Sequence, residues 1–388
     1  MKILIATDNY YPNVNGASYF AQRLAYYLKK HYHSVLVIAP SLNHYEETSQ
    51  YDGVQVYGVP SMPLERIRVP FPIMVALYVE KAINQFQPDV IHIQSHFAIG
   101  RNAANTAKSL HIPIVGTNHF MPENLVHYFH PPKPIETMVI NMGWAYCLKT
   151  LNRLDAVTSP TKIAAGLLEK VGIKKPVSVI SNGIDLQIFK PSNDGAYLAT
   201  RYKIPTDKPV LLFVGRLDKE KYLDLVIRAL AKAISQTPIT LIIVGTGAER
   251  SKLEKLAADL HLQLHIIFTG FVPDEDLPNL YTLADCFIMA GTVELQSIAT
   301  MEAMASGLPV LAVRAMALPE LVRDGENGFL FEHGNISQMA EQIVRLLGNQ
   351  SLRQKMGQTS LQIIQSHNID RVIEKFEALY QEIAKRKS

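Results

Sequence analysis

Short runs of almost unbroken apolar residues, each followed by a longer stretch of helical periodicity, constrain this chain more than any other feature. KILIAT (2–7), SVLVIA (34–39), VIHI (90–93), PIVGT (113–117), AVTS (156–159) and VSVIS (177–181) read as strands buried on both faces. Patterns such as 16-GASYFAQRLAYYLKK-30 and 161-TKIAAGLLEKV-171 lie between them. A strand apolar on both faces needs cover on both, which parallel sheets with crossover helices provide. The series restarts with PVLLFVG (209–215), TLIIVG (240–245), LHIIFTG (264–270), DCFIMA (285–290) and LPVLAV (308–313). The pattern therefore predicts an α/β fold of two doubly wound domains, 1–185 and 186–367. A chain of 388 residues exceeds one ordinary core. The polar stretch 182–209, with its Pro, Gly, Asn and Asp, reads as the linker. Ligands are expected outside the strand ends, where the two domains would face one another across a cleft.

Several function classes fall away. Net charge is only +3, which excludes a nucleic-acid partner. Cys147 and Cys286 stand far apart, without the spacing of a metal site or a disulfide framework, which suits a reducing compartment. No apolar run reaches eighteen residues, and MKILIATDNYYPNVNG turns polar too early for a signal peptide. The expectation is a cytoplasmic protein, peripheral at most on the inner face of the cell membrane. GxGxxG is absent: 245-GTGAER-250 begins it and fails at Arg250, so a nicotinamide oxidoreductase is a weak reading. Neither GxxxxGK[ST] nor GxSxG occurs.

Candidate chemistry lies at the strand ends. Gly16 opens a helix after the first strand, and 215-GRLDKEK-221 and 245-GTGAER-250 join strands to helices. Such glycines let backbone amides approach an anion, or simply make the turn. Arg216 and Lys221 suit a diphosphate, or a solvated face. Of the histidines, His119 directly follows a buried strand, and His92 and His96 flank another strand end. Acidic Asp274, Glu275 and Asp276 read as helix-opening residues rather than metal ligands. In 291-GTVELQSIATMEAMASGLPVLAV-313, Glu294 and Glu302 sit eight apart within a strongly apolar run. Unpaired buried charge is costly, so either both carboxylates reach solvent or both bind something, and the apolar neighbours of Glu302 disfavour two surface glutamates. The helix N-terminus near Ser297–Ala299 would offer amides to a phosphate.

E-LQSIATM-E followed by AMASGLPVLA resembles the signature of retaining GT-B glycosyltransferases of family GT4. The likeness covers nearly the whole chain: the YPNVNG loop, TNH, NGID, FVGRLDKEK, IVGTGAER and TGFVPDEDLPNLY. It implies a GT-B fold, with residues 368–388 returning as a helix to an acceptor-binding first domain, and a sugar-nucleotide-binding second domain. It implies that Gly16 lets the first loop approach the donor diphosphate, and that His119 contacts the transferred sugar. Arg216 and Lys221 would neutralise the diphosphate, and Val272 and Asp274 would lie along the base. Glu294 would hold sugar hydroxyls, the amides of Ser297, Ile298 and Ala299 the phosphate, and Glu302 the ribose. The family works without a divalent metal or other cofactor. Its usual account is front-face attack, with a donor phosphate oxygen accepting the acceptor's proton.

Gln296-Ser297 stands where the family often has Phe-Gly, and Asn15-Gly16 where many members have Gly-Gly. The E-x-Q-x-I form is similar to that of diacylglycerol glucosyltransferases. The resemblance thus implies UDP-glucose first and GDP-mannose second as donor, and a glycolipid-forming reaction on a membrane lipid such as diacylglycerol. Soluble sugar or polyol acceptors, and an inactive nucleotide-binding protein, are the alternatives. Independently, 61-SMPLERIRVPFPIMVALYVEKAINQF-86 places Arg66, Arg68 and Phe71 among apolar residues. That composition suits an anionic bilayer surface, or an ordinary loop leading into a helix.

Overall fold

The computed structural model describes residues 1–11, 15–64, 67–123 and 132–387. The first ten strands are β1 (Lys2–Ala6), β2 (Ser34–Pro40), β3 (Glu47–Tyr51), β4 (Val54–Val59), β5 (Ser61–Leu64), β6 (Ile67–Pro70), β7 (Val90–Ile93), β8 (Ile114–Thr117), β9 (Ala156–Ser159) and β10 (Val177–Val179). Eight of them form one sheet in the order β10-β9-β8-β7-β1-β2-β4-β3. Every pairing in it is parallel except that of the edge strand β3 with β4. β5 and β6 form a separate antiparallel hairpin. The remaining strands are β11 (Val210–Val214), β12 (Thr240–Val244), β13 (Ile266–Gly270), β14 (Cys286–Met289), β15 (Val310–Val313) and β16 (Gly328–Phe331). They form an all-parallel sheet in the order β13-β12-β11-β14-β15-β16. In each sheet the first strand is flanked by its successor on one side and by a later strand on the other. That reversal is the switch point beside which doubly wound folds bind ligands.

The chain divides into two compact units, Met1–Gly183 with Ile369–Ser388, and Ile184–Asn368. The first begins with a well-formed helix, Gly16–Lys30. Asn15 accepts from the Ser18 amide, the Ser18 hydroxyl accepts from the Asn15 amide, and Lys29 and Lys30 lie at the negative end of the dipole. The unit closes with the helix Ile369–Lys387, whose Ile369, Val372, Ile373, Phe376, Tyr380 and Ile383 are buried in the first unit's core. This spacing is one continuous helical stripe, and burying it stabilises the helix far more than propensity does.

The segment 182–209, read as a linker, is instead a packed part of the second unit from Ile184 onward. The Ile184 amide donates to the His367 carbonyl, and Phe189, Leu198 and Ile204 are buried in the second core. The polar residues there build turns: Asp185 accepts from the amides of Gln187 and Ile188. The hairpin β3–β4 and the strand β16 were not anticipated. β3 is short and polar, and its turn uses Asp52 and Gly53 at positive φ.

In the segment 61–86, Arg66 lies outside the described residues. Arg68 is half-buried and donates from Nη2 to the Ser61 carbonyl, while half-buried Phe71 lies 6.3 Å from the His44 ring. This segment exposes Met62, Leu64, Ile73, Met74 and Leu77, and further along its helix Glu80, Lys81, Asn84 and Gln85. Among the described residues no helix is long and apolar enough to cross a membrane.

Phe376 is fully buried, with its ring 5.9 Å from Phe20 and 5.2 Å from His92. Truncating such a ring leaves a cavity, so Phe376→Ala is expected to destabilise the first unit by about 3–5 kcal/mol. Chemical unfolding followed by hydrogen exchange in each unit reads this out. Loss confined to Ile184–Asn368 would contradict the placement of the last helix.

Candidate active site

Charged groups pair at the carboxyl ends of β11 and β14 in the second unit. Because the two strands pair (Leu211 with Cys286), the segments leaving them emerge side by side. One holds Arg216 and, on a single 3-10 turn, Lys221; the other holds Glu294. Lys221 Nζ donates to Glu294 Oε1 at 2.5 Å, and both side chains are largely buried. Arg216 is more open and bridges Asp218 (3.0 Å) and Glu220 (3.2 Å). A Cβ at Gly291 would come 3.2 Å from Lys221 Cδ and 3.4 Å from Glu294 Oε1, so this glycine makes room for the pair.

The glycines of GTGAER have a structural explanation. Gly245 adopts φ +124°, and a Cβ there would sit 2.0 Å from the Gly215 carbonyl oxygen; one at Gly247 would sit 2.3 Å from that of Leu217. The two turns stack backbone on backbone, with the Leu217 amide donating to the Thr246 carbonyl. Arg250 pairs with Glu254 at 2.8 Å.

After β14 the helix Ile298–Ala305 begins at Ser297, whose hydroxyl accepts from the Thr300 amide. The amides of Ile298 and Ala299 have no intrahelical carbonyl to bond and point out from the positive end of the dipole. One turn inside, Glu302 is 7% exposed and accepts from Tyr281 Oη at 2.9 Å. Both glutamates of the apolar run are therefore held, half-buried Glu294 by Lys221 and buried Glu302 by Tyr281. Val272 is buried nearby in sequence to exposed Asp274. Asp276 does not cap the helix Leu277–Tyr281 as expected. Its carboxylate takes Arg201 (2.8 Å) and Tyr197 Oη (2.5 Å), because a cation and a phenol offer stronger hydrogen bonds than a four-atom reach to an amide.

The first unit repeats the arrangement at β1 and β7. Asp8, just past β1, accepts from the Ser95 hydroxyl and from the amides of Ile99 (2.8 Å) and Gly100 (3.4 Å) at the start of the helix Ala98–Ser109. Burial raises its pKa above the usual carboxylate value. A Cβ at Gly100 would collide with the Ser95 carbonyl at 1.8 Å. His119 follows β8, lies 4.9 Å from the Phe20 ring, and places Nε2 2.9 Å from Gln94 Oε1. A carboxamide oxygen only accepts, so neutral His119 donates from Nε2. His92 in β7 joins Tyr380 Oη and Thr117 Oγ1, each at 2.7 Å. His96 stacks in a cluster with Phe97, Phe120 and Tyr146. Burial pushes His119 and His96 down to about 4 and, with the charge of His119 adding to it, His92 to about 3. All three are neutral at physiological pH. Gly16 is the first residue of its helix, behind the Asn15 cap.

The structure thus places Arg216, Lys221, Glu294, Ser297, Ile298, Ala299 and Glu302 beyond the carboxyl ends of two central strands in the second unit, and Gly16 and His119 beyond those of central strands in the first. Sequence reasoning missed Tyr281, Gly291, Asp8 and Gln94. Only Asp8 carried a signal, as the first charged residue beyond a buried strand.

Comparison with known proteins agrees with this architecture. Residues 14–188 match the model described as Glycosyltransferase Family 4, and residues 198–362 the model described as Glycosyl transferases group 1. The GDP-mannose-dependent alpha-mannosyltransferase of Corynebacterium glutamicum is 30% identical, over 86% of this chain and 77% of the relative. The alpha-monoglucosyldiacylglycerol synthase of Streptococcus pneumoniae is 28% identical, over 89% of this chain and 78% of the relative. The structure of Anabaena HepE in complex with UDP and glucose superposes with a TM-score of 0.79 at 20% identity, over 98% of this chain and all of the other. The fold is GT-B, and the chain belongs to glycosyltransferase family 4.

The three depressed histidines set a pH dependence. Their folded pKa values lie below the ordinary value of about 6.5, so the unfolded chain binds more protons between roughly pH 6.5 and 4. The histidines' contribution to the first unit's stability is therefore fully present above pH 6.5 and lost as pH falls toward 4, while buried Asp8, with its raised pKa, acts in the opposite sense. Denaturation midpoints of the first unit, followed from pH 7.5 to 4.5, test this. His92→Gln should flatten the dependence, and an unchanged slope would contradict the burial assigned to His92.

Proposed function

We propose that this enzyme transfers a hexose from a sugar nucleotide, UDP-glucose before GDP-mannose, to the hydroxyl of a membrane lipid such as diacylglycerol, with retention at the anomeric carbon. One observation carries the donor half of this reading: two carboxylates, half-buried Glu294 and buried Glu302, bracket a helix N-terminus at the switch point beside Lys221. That set offers one carboxylate for sugar hydroxyls, one for ribose hydroxyls, and amides with an ammonium for the phosphates between them.

The chemistry follows from where charge develops. As the anomeric C–O bond breaks, negative charge grows on the departing diphosphate and positive charge on the sugar ring. Lys221 and Arg216 stabilise the first, together with the amides of Ile298 and Ala299. Glu294 exchanges its hold on Lys221 for the sugar hydroxyls. His119, neutral at working pH and with its one N–H on Gln94, accepts from a sugar hydroxyl at Nδ1 and does not oppose the positive charge on the ring. Gly16 brings the first loop's backbone to the diphosphate, Val272 packs along the base, and Asp274 lies at its edge. The acceptor's proton passes to a donor phosphate oxygen, so no protein base is required.

The lipid acceptor is supported by the synthase relative of Streptococcus pneumoniae and by the exposed apolar surface of Met62, Leu64, Ile73, Met74 and Leu77. That surface makes the enzyme a peripheral one, on the cytoplasmic face. GDP-mannose stays second because the Corynebacterium glutamicum relative is named for it.

The test pairs UDP-glucose, UDP-galactose, UDP-N-acetylglucosamine and GDP-mannose with phosphatidylglycerol vesicles, with and without diacylglycerol. The expected result is nucleotide release that rises with diacylglycerol and a lipid-extractable hexose. Release indifferent to vesicles would move the acceptor to a soluble sugar or polyol, and no turnover of any donor would overturn the proposal. Glu302→Ala should weaken UDP binding by about tenfold or more, the loss expected of a charged hydrogen bond. His119→Ala should lower kcat about a hundredfold with little change in donor affinity.

A further inference from the structure

The first unit holds a pocket of about 450 Å³, solvent at its mouth included, beside His119. Asn9, Gln94, His96 and His119 line it, with Phe97 and Phe120 supplying aromatic walls. Three of these polar groups are unsatisfied: Asn9 Oδ1, Gln94 Nε2 and His96 Nε2 are buried and have no hydrogen-bond partner among the described residues. Gln94 and His96 are each only 3% exposed. Leaving a buried polar atom unmatched costs roughly 1–3 kcal/mol, so such atoms mark a place where a ligand completes the bonding. Gln94 also ties the pocket to the reacting centre, since its carboxamide oxygen takes His119 Nε2 while its nitrogen remains for the ligand.

The chemistry of the lining selects the ligand. Among the described residues no Lys, Arg, Asp or Glu lines the pocket. His96 and His119, held neutral by burial, bring no charge either. An anion placed there would lose its hydration without gaining a cation. Asn9 Oδ1 accepts only, and an ionised carboxylate or phosphate has no hydrogen to give it. A hydroxyl both donates and accepts, so it can answer Asn9 Oδ1, Gln94 Nε2 and His96 Nε2 alike. We infer that this pocket takes the uncharged polyhydroxyl headgroup of the glycosyl acceptor, a glycerol or hexose unit, and rejects anionic acceptors. This inference rests on the glycosyl transfer proposed above and narrows its acceptor.

The experiment measures transfer from UDP-glucose and GDP-mannose to two sets of acceptors. The neutral set is phosphatidylcholine vesicles containing diacylglycerol, with soluble octyl glucoside alongside. The anionic set is phosphatidylcholine vesicles containing phosphatidylinositol, with soluble inositol phosphate and malate. Expected is a kcat/KM at least tenfold higher for a neutral acceptor. His96→Phe, which keeps the stacked ring, and Asn9→Ala, on a different loop, should each raise the neutral acceptor's KM about tenfold, one lost hydrogen bond. Donor hydrolysis without acceptor, and the thermal midpoint, should not move in either variant. Preference for an anionic acceptor, transfer to neither set while donor is hydrolysed, or an unmoved acceptor KM in both folded variants would overturn the inference while leaving the donor chemistry standing. Absence of any donor turnover would overturn it together with the proposed function.

Discussion

Because β11 pairs with β14 while feeding its own crossover helix toward β12 on the other side, the two segments leaving these strand ends must diverge. The gap between them is a product of parallel pairing and right-handed crossovers, made before any side chain is chosen. Lys221 and Glu294 occupy its two banks and meet at 2.5 Å. Each alone would be an uncompensated charge in a largely dry setting; together they are stable yet separable by a ligand that offers both a diphosphate and hydroxyls. Gly291 leaves the space for that pair, and the turns at Gly215–Leu217 and Gly245–Gly247 beyond the end of β11 stack backbone on backbone.

The first unit uses the same geometry with the opposite electrostatics. Around β1, β7 and β8 the polar groups are neutral: buried imidazoles, carboxamides and threonine hydroxyls. Asp8 is the exception, and it is consumed in holding the start of the helix Ala98–Ser109. His92 is fixed from two directions, by Thr117 in the adjacent strand and by Tyr380 from the last helix. Phe20 touches both His119 and Phe376. The returning helix is therefore part of the frame around His119. On the proposed reading one unit would take a charged donor and the other an uncharged acceptor, a division set by which residues stand at the strand ends.

Much of this was legible in the sequence because burial itself was legible. Continuous apolar runs argued for parallel strands, and the apolar neighbours of the glutamate within SIATMEAMASG argued against a surface position; Glu302 is buried. Ser297 announced a helix start, and its hydroxyl does cap Thr300. What failed to show were interactions set by long-range contact. Nothing in the local pattern links Tyr281 to Glu302 or Tyr380 to His92, since those pairs depend on how helices pack on sheets. The segment 182–209 misled because Pro, Asn and Asp serve tight turns as readily as loose linkers, and its few apolar residues, Phe189, Leu198 and Ile204, were enough to bury it. Gly245 and Gly247 resembled an anion-binding fingerprint for a related reason: close backbone approach needs glycine whether the neighbour is a phosphate or another turn.

The central claim, that the divergence of β11 and β14 is the sugar-nucleotide site, is most directly tested by hydrogen–deuterium exchange with and without UDP-glucose in chelator-treated buffer. The account gives slower exchange in the peptides spanning 215–222 and 291–300, with the Ile298 and Ala299 amides among the most affected. Protection concentrated elsewhere, or exchange unchanged at saturating nucleotide, would contradict it.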